Sequence, residues 1–308
     1  MRVSVTELCN LRCRYCMPED GVCKKAHEEM LTEDEIIDAV RAAASLGIKK
    51  LRITGGEPLV KKNIVSICRR AAAVPGIREI CITTNGTLLP QLAGPLREAG
   101  VSRVNISLDT LDADKFRYIS RCGELTQAID GIHAALDAGF EKVKLNTVLI
   151  GGFNDDEIPS LAELTRRYPL DLRFIELMPI GCGRTLRGLR EAEVLKILEA
   201  QFGTWTLDPG TAHAKCREFS CGPMRVGFIS PLSHRFCNSC NRVRLTSDGK
   251  LKTCLEYPPQ LDCKALLSES DEAIRAAIEE TILAKPKAHR FTERHIDTES
   301  RGMFAIGG

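Results

Sequence analysis

Short β-rich apolar runs alternate with amphipathic helical stretches over the first two-thirds of this 308-residue chain. The runs at 2–6, 49–54, 78–83, 103–108, 142–150 and 172–177 read as strands. The clearest helix spans 33–46, with Thr32 as N-cap, Glu35 completing a capping box, and Gly47 where a helix-ending glycine belongs. Gly100 and Gly139 close two later helices just before a strand. Repeated strand–helix units predict parallel strands joined by right-handed crossovers. Six such units predict an α/β fold built as a partial (β/α)6 TIM-like barrel, with a doubly wound open sheet as the alternative. In both, ligands bind at the C-terminal ends of the strands. The unusual residues gather there: a cysteine group after Thr6, Thr54 to Pro58 after Ile53, Thr83 to Gly86 after Ile82, Ser107 to Asp109 after Ile106, and Met178–Pro179 after Leu177.

The pattern changes near Trp205. Residues 207–223 are rich in Pro, Gly and Cys, lack periodicity, and read as a linker or irregular segment. Strand-like runs at 226–230 and 243–246, a turn at 247–249 and a helix at 271–283 follow. The expected organisation is a barrel domain, 1–206, and a C-terminal domain, 207–308.

With 44% hydrophobic and 27% charged residues the chain has the composition of a globular protein with a sizeable core. A net charge of +2 gives no surface suited to nucleic acid or membrane. No run approaches the roughly 18 apolar residues of a membrane span, and the N-terminus shows neither a secretory apolar run nor a transit-type leader. The 14 cysteines fall into two tight groups with scattered singles, which suits metal binding in a reducing, cytoplasmic setting better than a disulfide framework.

Cys9, Cys13 and Cys16 form C-x3-C-x2-C in one loop after the first strand. Three thiolates suit a [4Fe–4S] cube and leave the fourth iron free to bind a substrate. A structural zinc site with Cys23 as fourth ligand is the alternative. Cys237, Cys240 and Cys254 form a second trio, C-x2-C-x13-C, for which zinc with Cys263 is a stronger rival. Arg242 and Arg244 follow it, on one face of a strand, and suit a triphosphate unless they line a solvated surface. The six histidines form no paired metal motif, and His133 falls on a helix face.

C-x3-C-x2-C with Tyr15 before its last cysteine resembles the radical SAM superfamily. Residues 2–6, Cys13 to Pro18, Leu51 to Pro58, Ile82 to Gly86, Asn105 to Asp109, Phe174 to Pro179, 227–230 and the Cys237 segment are similar, in order, to the GTP 3′,8-cyclase family of molybdenum cofactor biosynthesis. Members carry a short segment before the first strand, whereas this sequence begins at Met1 beside Arg2, and the stretch around Cys216 and Cys221 fits the family pattern less well.

The resemblance implies two [4Fe–4S] clusters, S-adenosylmethionine as cofactor, and GTP as substrate. It places Tyr15, Gly56, Ser107 and Met178 at S-adenosylmethionine, with Gly55 beside them. It places Arg2, Arg52, Thr83, Lys144, Arg242 and Arg244 around GTP, with Lys50 as a weaker candidate, and the purine on the open iron of the second cluster. Gly307 and Gly308 would reach into the site and matter for turnover. A 5′-deoxyadenosyl radical would take hydrogen from C3′ of the ribose, and C3′ would then attack C8 of the guanine. A low-potential electron donor and the downstream cyclic pyranopterin monophosphate synthase would be partners, and a homodimer is compatible with the chain. A peptide-modifying radical SAM enzyme, a non-catalytic iron–sulfur redox protein and a zinc protein are the rival readings.

Overall fold

The computed structural model describes residues 1–22, 25–207, 222, 224–267, 269–291 and 301–307 in full and 216–219 by their backbone. The six expected strands are present: β1 (Arg2–Ser4), β2 (Lys50–Thr54), β3 (Glu79–Thr84), β4 (Val101–Ser107), β5 (Lys142–Leu149) and β6 (Leu170–Glu176). They pair in that order, all parallel. Helices α1 (Glu33–Ser45), α2 (Ile64–Ala72), α3 (Leu89–Glu98), α4 (Ala113–Ser120), α5 (Leu125–Asp137) and α6 (Ile158–Arg167) supply the crossovers, and α7 (Glu191–Phe202) follows β6.

Helix α1 starts as its sequence requires. The Thr32 hydroxyl accepts from the Glu35 amide at 3.2 Å, and the Glu35 carboxylate accepts from the Thr32 amide at 2.7 Å. Gly47 after its end takes φ = +86°, a conformation costly for any residue with a Cβ.

Alternation along the strands separates two environments. Val3, Ile53, Ile82, Val104, Leu145 and Leu172 are fully buried on the face that meets the helices. The other face carries Arg2, Arg52, Thr83, Asn105, Lys144 and Asn146, so the inside of the barrel is polar. Closed barrels fill this space with branched apolar side chains.

The C-terminal part is woven into the same sheet. The strand order is β12-β11-β10-β1-β2-β3-β4-β5-β6-β9-β8-β7, an open sheet and not a closed barrel. Strands β7 (Trp205–Leu207) and β8 (Cys216–Phe219) are antiparallel additions beyond β9 (Arg225–Ile229), which lies parallel to β6. On the opposite edge β10 (Arg244–Leu245) lies parallel to β1 and is followed by the antiparallel β11 (Lys250–Lys252) and β12 (Leu261–Asp262). The six-unit parallel core is as expected, and the C-terminal extension adds one parallel strand at each edge, β10 beside β1 and β9 beside β6. The runs at 226–230 and 243–246 are strands as expected, but no strand–helix repeat joins them, so their parallel partners were not readable. The reading of 207–223 as irregular is corrected, since β8 lies within it. Strands β1 to β6 follow one another in a single direction with no reversal of order, as in a partial barrel and unlike a doubly wound sheet.

Helix α8 (Cys263–Leu266) and helix α9 (Asp271–Leu283) pack near the N-terminal half, α9 against α1, and the Ser270 hydroxyl accepts from the Ala273 amide to cap α9. A final helix, α10 (Met303–Ile306), returns the chain end to the mouth of the barrel. Among the described residues no helix is long and apolar enough to cross a membrane.

Candidate active site

The first cysteine loop hangs from the C-terminal end of β1. The amides of Cys16 and Met17 both donate to the Cys13 carbonyl at 2.9 Å, a tight turn that brings Cys13 and Cys16 together. Cys9, Cys13 and Cys16 line one cavity of about 210 Å³. Burial raises the bare Cys9 thiol to about 11, and burial and the neighbouring cysteines raise Cys16 to about 12. N–H groups already face the sulfurs: the Leu11 amide lies 3.3 Å from Cys9 Sγ, and the Phe304 amide donates to Cys16.

The remaining walls come from strand ends. Gly55 and Gly56 line the same cavity, together with Tyr15, Ser107 and Met178. A Cβ on Gly56 would stand 2.4 Å from the Leu8 carbonyl oxygen, and one on Gly55 2.5 Å from that of Thr6. These glycines therefore let β2 approach the segment that leads into Cys9. The Tyr15 hydroxyl donates to Asp109 Oδ2 at 2.7 Å, while Oδ1 accepts from the Val148 amide at 2.8 Å. Burial raises the Asp109 carboxyl to about 6. Glu57, also buried, accepts from the amides of Leu59 and Asn85 and the hydroxyl of Thr84, joining the ends of β2 and β3, and burial raises it to about 7.

A second cavity, about 150 Å³, holds Cys237, Cys240 and Cys254. Arg2, Arg52, Arg242 and Arg244 line it with them. Among the described residues no carboxylate forms an ion pair with any of the four. Burial, then Arg244 and Arg52, hold Arg2 well below the ordinary arginine range, and burial and Arg242 bring Arg244 down to about 9. Four guanidiniums lining one cavity, with no carboxylate partner among the described residues, are an arrangement that can hold an anion. The Arg242 guanidinium also stacks 4.7 Å from the Phe236 ring centroid. At Cys240 burial raises the thiol, but the Arg242 amide and the Lys285 ammonium, 3.5 Å from Sγ, outweigh it and hold the group below its ordinary value. That is the environment of a thiolate ligand.

The two cavities share walls: Thr83, Asn146, Ile175, Met178 and Met303 face both. Thr83 and Met303, far apart in sequence, thus meet at one junction.

Most sequence-derived positions converge here, and some do not. Lys144 sits two residues below Asn146 on β5, pointing inward but deeper than either cavity wall, 3.2 Å from Asp171. Lys50 is excluded from the pocket: it lies at the opposite end of β2, exposed, paired with Glu79 at 3.1 Å. Gly307 lines neither cavity; its carbonyl accepts from Arg244, and a Cβ on it would press on Thr54. Gly308, Cys23 and Cys221 lie outside the described residues, as does the side chain of Cys216. Cys263 is buried at the start of α8 and does not reach the second trio's cavity. His133 lies on α5 against Tyr168, 3.3 Å from its hydroxyl. Asp109, Asn146, Lys285 and Met303 were missed. Asn146 was findable, two residues beyond Lys144 on one strand face, but nothing local marks Lys285.

The donor sets fit iron–sulfur cubes. Each trio is free of disulfides and spread around a cavity, with N–H groups directed at sulfur. Among the described residues no three His, Cys, Asp or Glu side chains converge closely enough for a single metal ion.

Comparison with known proteins agrees with this geometry. The profile described as Radical SAM superfamily matches residues 3–165, and that described as Molybdenum Cofactor Synthesis C matches residues 170–291. A GTP 3′,8-cyclase from Alkaliphilus oremlandii is 46% identical over 312 residues, covering 100% of this chain and 97% of the relative. One from Pelotomaculum thermopropionicum is 48% identical over 316 residues, with the same coverage. Among solved structures, Streptococcus suis SuiB bound to S-adenosylmethionine superposes with a TM-score of 0.62 at 15% identity, over 89% of this chain and 67% of SuiB, a likeness of fold. Sequence, fold and paired cysteine cavities agree: the chain belongs to the GTP 3′,8-cyclase family of the radical SAM superfamily.

Proposed function

We propose that this chain converts GTP to (8S)-3′,8-cyclo-7,8-dihydroguanosine 5′-triphosphate, with cleavage of S-adenosylmethionine, as the first step of molybdenum cofactor biosynthesis. The observation that carries the reading is the wall shared by two three-cysteine cavities, one of them rimmed by four arginines with no carboxylate partner among the described residues. A reaction between a cofactor and a nucleotide needs two sites that open on each other.

Cys9, Cys13 and Cys16 would hold one [4Fe–4S] cluster, and Cys237, Cys240 and Cys254 the other. When bound, the first supplies the electron and the open iron through which S-adenosylmethionine is cleaved to a 5′-deoxyadenosyl radical. The chain's own residues do the rest. Gly56, Ser107, Met178 and Tyr15 form the bed for the cofactor. Arg2, Arg52, Arg242 and Arg244 neutralise a triphosphate, which removes their mutual repulsion and fixes the ribose toward the shared wall. Thr83 stands in that wall. Lys144 adds positive charge from below, and Gly307 orders Arg244 through its carbonyl. Met303 and Phe304 cover the mouth and exclude water.

The division at 206 is functional on this reading: residues 1–206 carry the cofactor site, and 207–308 bring the second cluster and two of the arginines to it. The cytoplasm is the compartment that suits so many free thiols. A low-potential electron donor acts upstream, and cyclic pyranopterin monophosphate synthase takes the product. A homodimer is compatible with this reading.

The test is anaerobic reconstitution with iron and sulfide, then incubation with S-adenosylmethionine and reductant, with GTP or with ATP. The expected result is GTP consumed and ATP left intact. S-adenosylmethionine cleavage with GTP left intact would overturn the reading in favour of a peptide-modifying enzyme. No cleavage at all would favour a redox protein.

A further inference from the structure

Arg121 is the one non-glycine residue with positive φ among the described residues, at φ = +64° and ψ = −32°. It stands just past the end of α4, with its Nε buried and unpartnered among the described residues. Two local costs therefore meet at one residue, and such costs persist where surrounding structure and function demand them.

The guanidinium shows what the geometry serves. Its Nη1 donates to the Arg12 carbonyl at 2.7 Å and to the Met17 carbonyl at 3.0 Å. Residues 12 and 17 flank Cys13 and Cys16. The backbone around Arg121 grips the same loop: the Arg12 amide donates to the Ser120 carbonyl and the Arg14 amide to that of Ile119, each at 2.9 Å. Gly123 completes the strap, since a Cβ there would meet Leu11 Cδ2 at 2.7 Å. A leucine or alanine at 121 would prefer negative φ, which would rotate the side chain away from the loop.

We propose that Arg121 is a positioning residue for the first cluster: its guanidinium spans the two ends of the Cys13–Cys16 turn and holds those thiols at the spacing the cluster requires. This rests on reading Cys9, Cys13 and Cys16 as cluster ligands. The strained backbone is what aims the guanidinium at both carbonyls. The residue acts through the loop and touches neither cofactor nor substrate.

The proposal is tested on reconstituted holoprotein challenged anaerobically with an iron chelator. Iron release is followed from wild type, Arg121→Gly, Arg121→Asn, Arg121→Lys and a control with Cys9, Cys13 and Cys16 all changed to Ala. The control retains only the second cluster and assigns its phase. Glycine and asparagine both accept positive φ but cannot bridge the carbonyls. For either of them the first-cluster phase is expected at least 10-fold faster, with the second-cluster phase unchanged and the apo-protein melting no lower than wild type. Lysine is expected to recover part of the loss. Wild-type release from both glycine and asparagine variants would overturn the proposal. So would equal loss of both clusters with a lowered apo melting temperature, which marks an ordinary fold-stabilising residue. If the triple-alanine control binds as much iron as wild type, the ligand reading itself fails, which is a separate result.

Discussion

Arg2 and Arg244 are register partners across the parallel pair β1 and β10. One lies at the start of the chain and the other near its end, and their guanidiniums share one buried, carboxylate-free cavity. A bound anion would relieve the repulsion between them.

Arg244→Gln tests that relationship. Removing one guanidinium lessens repulsion in the empty protein and removes a charge-assisted contact from the loaded one. We expect apo-protein at least as heat-stable as wild type, with GTP affinity reduced about 10- to 100-fold, the equivalent of about 1.5–3 kcal/mol. Calorimetric titration of GTP and an apo melting curve check both halves. Lower apo stability with unchanged affinity would show that Arg244 is a structural residue.

Lys144 sets a pH dependence. Burial first, then the Arg173 guanidinium, lower it to about 8 from 10.5, against the pull of Asp171. Between those values the unfolded chain binds more protons than the folded one, so stability rises with pH across this window and the full penalty applies below pH 8. Relative to Lys144→Met, the wild type should therefore gain stability as pH climbs from about 8 to 10.5, by roughly 3 kcal/mol at most. Paired denaturant titrations at pH 7.5 and 10 measure the gain. A constant difference would contradict it.

Glu57→Gln probes the tie between β2 and β3. Glu57 Oε2 accepts from the Asn85 amide at 2.6 Å, while Oε1 serves Leu59 and Thr84. An amide side chain that keeps its oxygen toward Leu59 and Thr84 turns its NH2 toward another N–H. The half-buried Asn85 amide then lacks an acceptor, at a cost of about 1–3 kcal/mol. Chemical denaturation of apo-protein reads this directly, and a loss under a few tenths would argue against it.

Gly56→Ala should act on iron as well as on the cofactor. The added Cβ meets backbone oxygens of Leu8 and Glu7 at 2.4 and 2.5 Å, so the segment before Cys9 must shift. Iron per chain is expected to fall from about eight toward about four, with the second cluster retained. Full iron content would show that the segment yields without disturbing Cys9.

Much of this was legible in the sequence because it rests on local rules. The capping box at Thr32, the glycines that end helices, the strand runs and the two cysteine spacings each carry their meaning within a few residues. The sheet partners of β9 and β10 were not, because a parallel pairing without a strand–helix repeat leaves no periodic mark. Lys285 and Met303 belong to the site only through the return of the C-terminal part to the barrel mouth, which no local pattern encodes. Lys50 misled for the opposite reason: it lies two residues from Arg52 on the same face, yet two steps along a strand span about 6.6 Å, enough to place it at the wrong end. Asp109 stood at the end of a recognised motif, but its bond to Tyr15 joins residues 94 apart and exists only in the fold.

The central claim is that the two cavities open on each other so that hydrogen passes from the nucleotide in one to the cofactor in the other. GTP carrying deuterium at C3′ measures this most directly. On turnover of the reconstituted protein, deuterium should appear in 5′-deoxyadenosine, in step with formation of the 3′,8-cyclised triphosphate. 5′-Deoxyadenosine formed without deuterium while GTP is present at saturation would contradict the account.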